Sequence, residues 1–251
     1  MQSKFYSPDQ HRAENVRVLF ATISRRYDLI NNLMSLGLHR HWKQRLVEMA
    51  EGKSKGEGRR AKGGGGQQKL VLDLCCGTGD IAMMFARQNP QTHVVGVDFT
   101  PEMLQVASAR APQHSTSWVQ ADALRLPFPG DTFDVVSVGY GLRNLADLSE
   151  GLREILRVLR PGGKLLSLDF GKPESRLWRA VYFGYLRVVP PALSRLFCDD
   201  ADTHAYIVPS LQNCPNQREL KTLMEQCRYA DCGFEEFCGG AMAINFGIKT
   251  R

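Results

Sequence analysis

The stretch Val71-Leu72-Asp73-Leu74-Cys75-Cys76-Gly77-Thr78-Gly79-Asp80 constrains this chain more than any other. Its apolar half reads as a buried strand, Gly77-Thr78-Gly79 as a tight turn, and Asp80 as the start of a helix. Asp98 follows Gly79 by nineteen residues and ends a second apolar run. A strand, a glycine turn, a helix and an acidic strand end build a nucleotide site at the edge of a parallel sheet.

The rest of the chain repeats the alternation. Residues 69–74, 93–98, 117–120, 133–138 and 164–170 read as strands, with helices over 80–88 and 101–110 and another opening at Asp147. Thr100 is placed to cap the second helix and Asp147 with Glu150 the third, while Pro161-Gly162-Gly163 is placed to stop it. This pattern predicts an α/β, doubly wound, Rossmann-like parallel sheet. Near the end a helix over 217–229 precedes strands at 234–237 and 241–249. Gly239-Gly240 suits a tight reversal, so the last of seven strands is predicted to run antiparallel.

Three helical patterns, over 15–24, 27–35 and 39–50, make residues 1–50 a helical cap expected to pack over one end of the sheet. Residues 51–68 hold five Lys/Arg, two Glu and seven Gly, which predicts a flexible, solvated linker; an RNA-binding arm is the alternative. The main domain spans 69–251 with a helical lid insertion at about 173–216. That insertion is rich in apolar residues (Leu177, Trp178, Val181, Tyr185, Val188), and five basic residues from Lys172 to Arg195 face Glu174 alone. A lid packed on the core, or one whose outer face meets a membrane surface or greasy substrate, both fit.

Composition bounds the partners. The net charge is +6, and residues 51–68 supply half of it, so no nucleic-acid partner is predicted. No apolar run reaches the roughly 18 residues of a membrane span. The opening Met1-Gln2-Ser3-Lys4 lacks the apolar core of a secretory signal, so a soluble chain is expected. Seven cysteines without a repeated C-x-x-C predict reduced thiols and no metal site.

The turn residues choose the ligand. Asp73 and Asp80 flank the glycines, where they would repel a pyrophosphate. A ligand with an ammonium, a sulfonium and a ribose fits better, and S-adenosylmethionine is that ligand. Asp73 is expected to hold its ammonium, directly or through water, or else to cap the turn. Gly77, Thr78 and Gly79 let the backbone approach it, and Asp98, with Phe99 beside it, accepts the ribose hydroxyls. Asp122 and Ala123 end the third strand and suit the adenine edge, although a loop aspartate is also a common turn former. Gly139 opens the segment Gly139-Tyr140-Gly141-Leu142-Arg143-Asn144, which should face the transferred methyl. No Asn/Asp-Pro-Pro-Tyr stands there, which argues against methylation of an exocyclic amine. Arg143 reads either as a surface ion-pair partner or as a group that steadies an oxyanion.

Several further segments carry a resemblance. They are Tyr27-Asp28-Leu29-Ile30-Asn31-Asn32-Leu33-Met34-Ser35, His39-Arg40-x-Trp42-Lys43, Ala123-Leu124-x-Leu126-Pro127-Phe128, Gly141-Leu142-Arg143-Asn144, Arg157-Val158-Leu159-x-Pro161-Gly162-Gly163 and Asp169-Phe170-x-Lys172-Pro173. With the glycine motif they resemble the ubiquinone/menaquinone C-methyltransferase family of class I S-adenosylmethionine-dependent enzymes, from about Leu19 to the C-terminus. Cys75-Cys76-Gly77, Gly139-Tyr140-Gly141 and Leu168-Asp169-Phe170 look more like the branch that methylates demethylphylloquinone or demethylmenaquinone. Gly139 stands where many relatives carry a serine, so contact there must come from backbone.

The resemblance implies C-methylation of a prenylated naphthoquinol. The alternatives are a prenylated benzoquinol or a donor-binding scaffold without turnover; an NAD-dependent oxidoreductase and an RNA methyltransferase fit less well. It implies peripheral contact with an inner or thylakoid membrane from the cytoplasm or stroma, or from the mitochondrial matrix in the ubiquinone branch. A homo-oligomer or a biosynthetic complex is left open. A phenol with a pKa of roughly 10 must lose its proton, so Arg143 is expected to stabilise the oxyanion with Asn144 and Tyr27 orienting it. Arginine cannot be the base, and a water, His39 or His41 is expected to take the proton; each histidine also reads as structural or exposed.

Overall fold

The structure is a computed structural model that describes residues 12–24, 26–52, 69–111, 116–198 and 206–250. Most of the predicted linker, and residues 199–205 of the predicted lid, lie outside the described residues.

Three helices come first: α1 (Arg12–Ile23), α2 (Tyr27–Met34) and α3 (Leu38–Ala50). The alternating part follows as β1 (Leu70–Leu74), α4 (Asp80–Gln88), β2 (His93–Asp98), α5 (Pro101–Arg110), β3 (Thr116–Gln120), β4 (Phe133–Gly139), α6 (Leu148–Val158) and β5 (Leu159–Phe170). Then come α7 (Arg176–Cys198), α8 (Ile207–Asn213), α9 (Gln217–Gln226), β6 (Tyr229–Phe237) and β7 (Met242–Lys249). The sheet has seven strands in the order β3-β2-β1-β4-β5-β7-β6. β1 to β5 pair in parallel, and β7 is antiparallel to both neighbours. The order reverses direction at β1, with β2 on one side and β4 on the other, and a crevice opens at their carboxyl ends.

Period-two patterning sorts the side chains onto two faces. Leu72, Leu74, Val97, Val136 and Val138 pack with Leu152 and Ile155 of α6 and Leu220 and Met224 of α9. On the other face Val71, Val94, Val135, Leu166 and Ile244 meet Ile81, Ala82 and Phe85 of α4. Trp42, Leu46, Val47 and Ala50 of α3 join that second cluster, so α3 lies on the sheet's face beside α4. A third cluster roofs the crevice. Leu19 of α1, Tyr182 and Leu186 of α7, and Tyr206, Ile207 and Leu211 at α8 form it.

Two boundaries differ from expectation. α6 ends at Val158, and Pro161-Gly162-Gly163 lies inside β5, whose Leu159 already pairs with Phe133. Proline holds its predecessor extended, and Gly162 at φ 79° takes up the irregularity, so the triplet bends a strand instead of closing a helix. The helix predicted over 217–229 stops at Gln226 because Arg228, at φ 72°, turns the chain, and Tyr229 pairs with Lys249. α7 runs through Pro190 and Pro191, which removes two N–H donors from its ladder.

Candidate active site

Beyond Leu74 the backbone passes through left-handed conformations at alternate positions: Cys75 (φ 55°), Gly77 (54°) and Gly79 (82°). The loop is fastened from outside itself. The Cys76 N–H donates to Val97 O (2.9 Å), and the Gly77 N–H donates to Asp98 Oδ2 (2.8 Å). Asp98 Oδ1 accepts the Thr100 N–H (2.9 Å), so one carboxylate ties the glycine loop to the start of α5. Thr100 does stand at the N-cap, but its side chain makes no capping bond. Burial pushes Asp98 upward in pKa, and the N–H groups of Thr100 and Gly77 pull it back.

The two glycines serve different ends. A Cβ on Gly77 would meet no atom of the described residues within 4 Å and would stand in open space beside the cavity that Gly77 lines. A Cβ on Gly79 would come within 2.5 Å of the Trp118 ring, so that position is glycine for packing as well as for its φ.

A cavity of about 880 Å³ opens here, lined among others by Gly77, Asp98, Phe99, Asp122, Ala123, Gly139, Asn144 and Tyr27. Asp122 is exposed at its rim and its Oδ1 accepts the Leu124 N–H (2.9 Å). Asp73, Thr78 and Gly79 are not on its wall. Asp73 lies beneath the loop, where Oδ2 accepts the Ala82 N–H (3.0 Å) and Oδ1 accepts the Ser137 hydroxyl (2.8 Å). Burial, opposed by Ser137 and the Ala82 N–H, raises its pKa to about 7. Asp80 is not a bare charge either: it pairs with Lys43 (2.9 Å) and Arg110 (2.8 Å). The repulsion expected from this aspartate pair is therefore largely compensated, and Asp98 and Asp122 supply the acidity at the cavity itself.

A second cavity, about 770 Å³, lies under the α1, α2, α7 and α8 roof. Phe20, Tyr27 and Tyr140 line both cavities, so the two abut across an aromatic partition. Arg143 lines the second one. It is buried, not at the surface as one expectation had it, and its ion pair is with Asp169 (2.5 Å). Its guanidinium also donates to Tyr140 O (2.8 Å) and Tyr206 Oη (3.2 Å), and lies 5.0 Å from the Phe170 ring centre. Burial alone would discharge it, but Asp169 and the neighbouring tyrosine oxygens hold it protonated. Asn144 Nδ2 donates to the same Tyr140 carbonyl (3.3 Å). Tyr140 sits at φ 61°, a conformation a bulky residue seldom adopts, and this aims its carbonyl at both side chains.

Of the predicted catalytic trio, Tyr27 lines both cavities, Asn144 the first and Arg143 the second. His39 lines the second and is buried, whereas His41 is exposed. Sequence reasoning gave no role to Tyr140, Phe20, Asp169 or Tyr206. Asp28 was also missed, although it accepts from Thr78 and pairs with Arg110.

A profile of the ubiE/COQ5 methyltransferase family matches residues 8–249. The chain is 36% identical over 247 residues to a ubiquinone/menaquinone biosynthesis C-methyltransferase UbiE of Pseudomonas paraeruginosa, covering 96% of this chain and 91% of that one. It is 35% identical over 240 residues to a demethylmenaquinone methyltransferase of Lactiplantibacillus plantarum, covering 94% and 96%. Among solved structures, a possible histamine N-methyltransferase from Thermotoga maritima superposes with a TM-score of 0.57 at 17% identity, covering 92% of this chain and all of that one. A Haloferax volcanii putative methyltransferase bound to its Trm112 activator gives 0.59 at 15% identity, covering 91% and 98%. The structural likenesses establish the fold alone. Taken with the sequence match over nearly the whole length, they leave one assignment: this chain belongs to the ubiE/COQ5 methyltransferase family.

Proposed function

We propose that the protein transfers a methyl group from S-adenosylmethionine to a ring carbon of a prenylated naphthoquinol in quinone biosynthesis. The abutment of the two cavities at Phe20, Tyr27 and Tyr140 carries this reading. One cavity has an acidic rim and an open glycine; the other is aromatic and holds a buried cation. Such a pair suits a polar donor and a flat, lipophilic acceptor reacting across a thin wall.

The residues of the first cavity fit the donor. Gly77 leaves space where a side chain would stand, and Asp98 keeps lone pairs beside it for ribose hydroxyls. Phe99, Asp122, Ala123 and Gly139 add to the wall, while Asp73 lies beneath the loop, Thr78 ties it to Asp28 of α2 and Gly79 packs on Trp118. When bound, the donor supplies an electrophilic methyl on a sulfonium.

The chain's own residues prepare the acceptor. Arg143 holds the ring oxygen as it passes its proton to a water molecule, and because Asp169 and the Tyr140 carbonyl fix the guanidinium, little reorganisation is needed. Tyr27 and Asn144 orient the ring at the partition. The roof excludes bulk water, which matters because charge is cancelled as a phenolate meets a sulfonium.

The naphthoquinol preference rests on the resemblance of Cys75-Cys76-Gly77 and Leu168-Asp169-Phe170 to the phylloquinone and menaquinone branch. Docking at a membrane surface draws support from α7, where Leu177, Val181, Val188 and Leu196 are mostly exposed among arginines. Among the described residues no helix is long and apolar enough to cross a membrane. The test is incubation with labelled donor and a panel of reduced naphthoquinols and benzoquinols. Ring-carbon label on the naphthoquinols is expected; label confined to benzoquinols would move the protein to the other branch, and none would end the reading.

A further inference from the structure

His39 stands in the first turn of α3 and lines the aromatic cavity, yet neither ring nitrogen has a hydrogen-bond partner among the described residues. It is only 4% exposed. A buried imidazole with both nitrogens unmatched is costly, and such a group calls for a functional or structural account. The tyrosine hydroxyls nearby are already committed. Tyr182 donates to Ala241 O (2.9 Å), Tyr185 donates to Met34 O (2.5 Å), and Tyr206 accepts from Arg143. His39 is thus one of the polar groups of this wall with unmatched capacity, and its two nitrogens offer both a donor and an acceptor.

The imidazole is also held neutral. Burial lowers its pKa to about 4, helped by Lys43 one turn along α3 and Arg40, and opposed by Asp80. A neutral imidazole gives one donor and one acceptor in the ring plane, which matches a hydroxyl group; Arg143 offers donors only and matches an oxyanion. A group of such low basicity is a poor acceptor for a phenol proton at pH 7.

We propose that His39 binds the second ring hydroxyl of the hydroquinone as a neutral hydrogen-bond partner, while Arg143 holds the oxygen that ionises. The inference rests on the quinol reading above and gives His39 a specificity role, not that of the base. Acceptors with oxygens at both ends of the ring are thereby favoured over simple phenols.

The test compares two ligands on the full chain, in the presence of S-adenosylhomocysteine. They are reduced 1,4-dihydroxynaphthalene, kept anaerobic, and 1-naphthol, which lacks one hydroxyl. Binding is followed by intrinsic fluorescence, since Trp42 lines the same cavity. His39→Leu is expected to weaken the diol about tenfold and naphthol less than about twofold, with His39→Gln retaining most of the affinity for the diol. Equal weakening of both ligands, or of neither, would overturn the role. If the unsubstituted protein ignored the diol altogether, the quinol reading would fall and this inference with it.

Discussion

The hydroxyl of Thr78 donates to the carboxylate of Asp28 at 2.9 Å, although fifty residues separate them. Asp28 also pairs with Arg110 at 2.5 Å, and Arg110 in turn with Asp80. One aspartate thus pins α2 onto the glycine loop and the last turn of α5. The next residue back, Tyr27, stands in the partition between the cavities, so this latch sets its place.

Replacing Asp28 by alanine should therefore cost turnover more than stability. Its ion pair is about a third exposed on each side, which limits the stability loss to about 1 kcal/mol or less. Turnover should fall by about tenfold or more as Tyr27 loses its anchor. A double-mutant cycle with Thr78→Val, read in kcat, should show the two losses to be non-additive.

Gly77→Ala places a methyl group in the first cavity and asks alanine to hold φ 54°. Strain of about 1–2 kcal/mol in stability is expected from the backbone alone. Donor affinity should fall by about tenfold or more beyond that, measured by calorimetry with S-adenosylhomocysteine. Unaltered affinity would show that the ligand does not approach this turn.

Arg143→Ala should abolish turnover while leaving donor binding in place, since Arg143 lines the second cavity and is absent from the wall of the first. The variant also strands Asp169 in a buried site, so a destabilisation of about 3–5 kcal/mol is expected. Arg143→Ala with Asp169→Asn should recover much of that stability and none of the turnover. Full turnover in the double variant would remove Arg143 from the reaction.

Asp73 gives a pH signature with a definite sign. Burial raises its pKa in the folded chain to about 7, above the unfolded value, so the folded state binds the extra proton. Its favourable contribution is present in full below about pH 4 and is lost as pH rises through about 7. Asp73→Asn removes that dependence and leaves a side chain able to keep the Ala82 contact. The melting temperature of the variant, relative to the parent, should therefore climb between pH 4 and 8; a flat difference would mean that Asp73 is ionised throughout.

The sheet was legible because its signals are local. Val71 to Leu74 and His93 to Asp98 carry their own periodicity, and Gly77 and Gly79 mark a turn that only glycine takes comfortably. What escaped was decided at a distance. Leu159 is a strand residue because Phe133 pairs with it, and Tyr229 because Lys249 does, so a Pro-Gly-Gly triplet and a helical pattern were each overruled by pairing. The cavities escaped for the same reason. Asp169 follows Arg143 by 26 residues and Tyr206 by 63, and no spacing rule joins them. The aspartates of the glycine motif were visible as letters, but the neutralising Lys43 and Arg110 come from other helices.

Phe20 and Tyr27 belong to α1 and α2, which contribute no strand, yet they are two of the three residues that line both cavities, the donor and acceptor spaces of the proposed reaction. A shortened chain beginning after α2 would keep every strand and could still recognise the nucleoside. It would then hold its reactive methyl toward bulk solvent, with no surface to present the ring. In the proposed reaction the first two helices are thus what separates a nucleoside-binding sheet from an enzyme.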